Sequence, residues 1–156
     1  RLADCEEDVR EFGDEFLADA AAAYERAQAA TDPATAVAAW QSAFDRYRGA
    51  AAAGWDGQRG VSAAALELQL AWVTAALVDA LDDLAAARED RGDDAADDDA
   101  AAAHYDEAVD ALERARDLAA EHPAYSADGF ADGIERVTDK KLEATGWQWG
   151  TAGSEG

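Results

Sequence analysis

His104–Pro123, HYDEAVDALERARDLAAEHP, is the stretch whose reading decides the fold. Tyr105, Ala108, Val109, Leu112, Ala115 and Ala119 recur at steps of three and four, which places them on one face of an α-helix. Asp, Glu and Arg fill most of the other positions, and the run stops at Pro123. The stretch therefore reads as one amphipathic helix of a helical hairpin.

The same period continues outward in both directions. Leu2, Cys5, Val9, Phe12, Phe16, Ala20, Ala23 and Ala27 predict a long first helix ending near Ala30. Thr31, Asp32 and Pro33 break it and start the next, with Asp32 as N-cap and Pro33 at the first helical position. That second helix runs to about Ala53 with Val37, Trp40, Phe44, Tyr47 and Ala51 inward, and a short link predicts antiparallel packing. Gly54–Gly60, GWDGQRG, reads as a turn.

Ser62 then caps a third helix, about Ala63 to Arg91, striped by Leu66, Leu70, Val73, Leu77, Leu81 and Leu84. Leu68, Trp72 and Val78 widen the stripe, so this helix is expected at the centre, buried on more than one side. Gly92–Asp99, GDDAADDD, reads as a loop or a frayed helix start. Beyond Pro123, Ser126 caps a fifth helix carrying Phe130, Ile134, Val137 and Leu142. The expected fold is all-α, about five helices in antiparallel hairpins, with residues 1–145 as one helical domain and 146–156 as a Gly/Trp-containing tail.

Composition bounds the setting more than the task. The 156 residues are enough for one core without disulfides or metal. Against 35 acidic residues stand 13 basic ones, a net charge of −22, and Lys140 and Lys141 are the only lysines. Five Trp and regular apolar periodicity argue against disorder. Two folded readings of the charge remain: a surface aimed at a partner, such as an acidic nucleic-acid mimic, or adaptation to a high-salt interior. Acid enrichment along the whole chain favours adaptation. At about 1 M salt the Debye length is about 3 Å, so self-repulsion is largely screened.

Cys5 is the only cysteine, which excludes an internal disulfide and a CxxC site. It reads as a small buried residue of the first helix. Lipid anchoring through Cys5 after removal of an upstream signal is the alternative to a cytoplasmic location. No run of about 18 consecutive apolar residues occurs, so no transmembrane segment is expected.

The decisive helix carries a family resemblance. Tyr105, Ala108, Leu112 and Ala115 resemble the second helix of a tetratricopeptide repeat, and Ala36, Trp40 and Ala43 repeat its alanine–bulky–alanine spacing. From Ala36 to Ala108 is 72 residues, close to twice the usual repeat of about 34. The resemblance implies stacked hairpins, a polar fifth helix as cap, and a groove for a peptide or another protein. The family's carboxylate clamp uses lysine and asparagine, and this chain has no asparagine, which puts that ligand mode in doubt.

Candidate chemistry is sparse. A hydrolase triad, phosphate loop, dinucleotide fingerprint and HExxH helix are all missing from the sequence. His104 reads as a solvated or capping residue at a helix start, and His122 as a favourable cation near a helix C-terminus. Counted from Asp93, an EF-hand pattern fails at its sixth and twelfth positions, Asp98 and His104. From Asp128 it is better kept, with Gly133 sixth, but Phe130 occupies an oxygen-ligand position. Thirteen scattered bases supply no nucleic-acid footprint.

The reading is thus a non-enzymatic protein–protein interaction or adaptor module, without cofactor, metal or catalytic residues, in a salt-adapted cell. Trp55, Trp147 and Trp149 are its expected partner-contacting residues, being large aromatics in loop-like sequence. A small-ligand or metal-binding helical bundle, enzymatic or not, is the first alternative, and the acidic mimic is the second.

Overall fold

The computed structural model describes residues 19–52, 63–122 and 127–146. The protein is all-α, and the described residues form five helices and no strand. They are α1 (19–29), α2 (Pro33–Ala52), α3 (Ala63–Asp93), α4 (Asp98–Ala120) and α5 (Ala127–Ala144). The chain divides into two compact units, Arg1–Ala80 and Leu81–Gly156, with the boundary inside α3.

In the first unit, the turn after α1 is closed by the Ala30 N–H donating to the Ala27 carbonyl at 3.3 Å. Asp32 then caps α2 as its sequence predicts. Its carboxylate accepts from both the backbone N–H and the hydroxyl of Thr35, each at 3.0 Å. The Tyr24 ring meets Trp40 edge-on, with centroids 5.1 Å apart. Ala20, Ala23, Ala27, Val37, Phe44 and Tyr47 are buried as expected. Ala51 is exposed, and Ala50, one residue back, takes the inward place.

The second unit holds the end of α3 with α4 and α5. Arg88 of α3 meets Glu107 of α4 at 2.9 Å, and Asp93 meets Tyr105 at 2.7 Å. Numbers rise along one helix as they fall along the other, so α3 and α4 are antiparallel. Leu112 of α4 lies against Gly133 of α5, and Asp106 pairs with Lys141, which makes those two antiparallel as well. Consequently α5 runs parallel to this end of α3, and Glu89 reaches Arg136 while Asp93 reaches Lys140. Tyr105, Ala108, Leu112, Ala115 and Ala119 form the buried face of α4, as their spacing predicts, whereas Val109 of the same set is half-buried; Val137 is fully buried on α5.

Two expectations are corrected. The helix read from His104 begins six residues earlier, at Asp98. Asp97 is its N-cap, accepting from the Ala100 N–H at 2.7 Å, and Asp98 and Asp99 lie in the first turn, where the helix dipole favours them. Gly92 is not in a loop: α3 runs through it to Asp93, and the glycine is buried. Asp128–Asp139, where Phe130 already breaks the calcium-loop pattern, lies within α5, the fifth helix that the sequence predicts.

Candidate functional site

Leu68 and Trp72 give the largest departure from the expected core. Expected to widen the buried stripe of α3, they are 73% and 62% exposed. Val78, the third residue of that group, is fully buried, as are Val73 and Leu77. The helix is thus packed on one side and presents a leucine and a tryptophan, one turn apart, on another. Ala65 stands on the same side one turn before, and Ala75 and Ala76 one turn after. Trp55, Trp147 and Trp149, the aromatics singled out from sequence, lie outside the described residues.

A polar cluster joins the three helices of the second unit. The Arg136 guanidinium donates from Nε and Nη2 to the two oxygens of Glu89, at 3.1 and 2.9 Å. Lys140 Nζ bridges Glu89 Oε1 at 2.8 Å and both Asp93 oxygens at 3.0 Å. The Tyr105 hydroxyl donates to Asp93 at 2.7 Å, and Lys140 stands 5.9 Å from the centroid of the Tyr105 ring. Gly92 makes room for that ring, since a Cβ at this position would come within 2.7 Å of Tyr105 Cδ1 and 2.9 Å of Cζ.

The electrostatics of this cluster are those of a clasp. The Arg136 hydrogen bond, with help from Lys140, holds the Glu89 carboxyl down at about 2. Asp93 is lowered by the Tyr105 hydroxyl and then Lys140, while Tyr105 is raised by its bond to Asp93. Lys140 and Arg136 are raised, each chiefly by Glu89. Each group is pushed further into the charge state it already holds at neutral pH. A general acid or base needs the opposite, a group brought toward neutrality. The cluster orders helices and has no proton to exchange.

His104 sits in the interior of α4, half-buried, and does not cap its start. Its Nδ1 is buried without a hydrogen-bond partner. An open groove of about 370 Å³ runs along α2 between Ala38, Gln41, Ser42, Asp45 and Arg46, where Gln41 Nε2 donates to Asp45 at 3.0 Å. Among the described residues no three His, Cys, Asp or Glu side chains are placed to hold a metal ion. Every described Asp and Glu is exposed except Glu89, and such exposed acids occur on all five helices.

By length and composition alone, α3 is long and apolar enough to cross a membrane, although no uninterrupted apolar run marked it in the sequence. Val73, Leu77, Val78 and Leu81 of this helix are fully buried, whereas Leu68 and Trp72 are exposed. Sequence reasoning missed the cluster because α3 and α5 meet across some 47 residues, and among so many acids nothing marks Glu89. Comparisons with protein-family models, curated proteins and solved structures found no match.

Proposed function

We propose that the chain is a non-enzymatic protein–protein interaction module of a salt-adapted cytoplasm, built from helical hairpins in a tetratricopeptide-like manner. The observation that carries this reading is the exposure of Leu68 and Trp72 side by side on α3. Tryptophan is enriched among the anchors of protein interfaces, and a tryptophan beside a leucine makes a contiguous apolar surface of the kind that a partner covers. The antiparallel α3–α4 pair, with α5 returning parallel to α3, supports the hairpin reading, as does burial of Tyr105, Ala108, Leu112 and Ala115.

Exposed carboxylates on all five helices support salt adaptation over a one-sided nucleic-acid mimic. The test is affinity capture from the source cells in about 2 M KCl, a salt that screens non-specific attraction to the acidic surface. A protein retained by the wild type and lost by Leu68→Ala/Trp72→Ala is expected. Equal retention by both, or none by either, refutes the reading.

A further inference from the structure

We propose that α5 is a detachable strap: it leaves the α3–α4 pair as one unit, melts as it leaves, and uncovers Leu112, Glu89 and Asp93. The way α5 is held points to this. Of its 18 residues only Gly133 and Val137 are buried, and Gly133 brings no side chain; Phe130, Ile134 and Leu142 are half-buried. By contrast α4 buries seven residues between Ala101 and Ala119, and its Tyr105 ring is lodged against Gly92 of α3. Apolar burial therefore joins α3 to α4 more firmly than it joins α5 to either.

Charge supplies the rest of the hold. The three basic residues of α5 all reach across to another helix: Arg136 to Glu89, Lys140 to Glu89 and Asp93, and Lys141 to Asp106. Arg136, Asp93 and Asp106 are exposed, so water competes for these ties. An element joined by wet ion pairs over a small apolar seam opens before one joined by a buried face. Once off, α5 has little to keep it helical. Short helices are marginal in water, and α5 carries two interior glycines, Gly129 and Gly133, which weaken it further. Release is then a change from order to disorder confined to one helix.

The test is native-state hydrogen exchange on the full chain at neutral pH in about 2 M KCl, read amide by amide. Amides of residues 134–144 should exchange at least about tenfold faster than the slowest amides of α4. Asp97→Ala removes the N-cap of α4, and should speed the slowest α4 amides about fivefold while leaving those of α5 unchanged, because α5 opens without α4 unfolding. Arg136→Gln should speed the α5 amides at least about threefold. Gly129→Ala places a methyl that meets nothing within 4 Å, and should slow them about threefold to fivefold, because the released segment is no longer a helix. Amides of α5 as slow as those of α4, equal acceleration of both helices by Asp97→Ala, or α5 exchange unmoved by Arg136→Gln or by Gly129→Ala overturns the proposal.

Discussion

Replacing Gly92 by alanine sets two calculable effects against each other. Inside an exposed helix, Gly→Ala is stabilising by about 1 kcal/mol, because glycine loses more backbone freedom on folding. At Gly92 the added methyl would strike the Tyr105 ring, nearest at Cε1, with Cδ1 at 2.7 Å and Cζ at 2.9 Å. The ring has no cheap way out. Tyr105 is 7% exposed, and its hydroxyl is tied to Asp93 at 2.7 Å. Overpacking a site of this kind costs about 1–3 kcal/mol, and losing a hydrogen bond to a charged group about 1.5–3 kcal/mol, less here because Asp93 is partly in water. The net expectation is destabilisation by roughly 1–3 kcal/mol.

The sign should reverse when the ring is removed. In a Tyr105→Ala background, Gly92→Ala should stabilise by about 0.5–1 kcal/mol, because only the helix-propensity effect remains. Urea unfolding of the four proteins at one fixed KCl concentration, followed by far-ultraviolet circular dichroism, gives the full cycle. A Gly92→Ala chain at least as stable as the wild type, with Tyr105 present, would refute the close approach as the reason for glycine.

Three further outcomes are expected. Glu89 has a folded pKa of about 2 against an ordinary 4.5, so its stabilisation is present above pH 4.5 and is lost as pH falls toward 2. Glu89→Gln should therefore cost on the order of 2–3 kcal/mol near neutrality, and its urea midpoint should converge with that of the wild type across that window; a constant gap down to pH 2 would contradict the clasp. Asp97→Ala should lower stability by about 1 kcal/mol while Asp97→Asn keeps most of it, since the cap acts through an acceptor oxygen; equal losses in thermal melts would assign the effect to charge. The thermal midpoint should rise between about 0.1 and 2 M KCl, because relieving net repulsion outweighs screening of a few ion pairs; a flat or falling midpoint would remove salt adaptation.

Local signals carried much of the fold. Asp32 and Pro33 mark the start of α2 because capping involves only neighbouring residues, and the alanine–tyrosine–leucine period of α4 reports its own buried face. Errors arose where two physical roles share one residue type. Gly92 carries the letter of a chain breaker but serves to make room for a ring thirteen positions away along the chain. Asp97 to Asp99, read as a loop or a frayed helix start, are a cap plus a first helical turn. Leu68 and Trp72 show why periodicity stops short of function: it tells which residues are apolar and on which side, whereas burial depends on whether another element reaches that side. The Glu89–Arg136–Lys140 clasp is a non-local pairing with no local signature.

The two lysines of the chain stand next to each other on α5, Lys140 holding Glu89 and Asp93 and Lys141 holding Asp106. Any reagent or enzyme that acylates lysine side chains must therefore act on α5. Neutralising Lys140 would leave Glu89 with Arg136 alone and strip Asp93 of its cation. Amine-directed dyes and cross-linkers, usually chosen as innocuous handles, would act on this protein as perturbants of the α3–α5 junction.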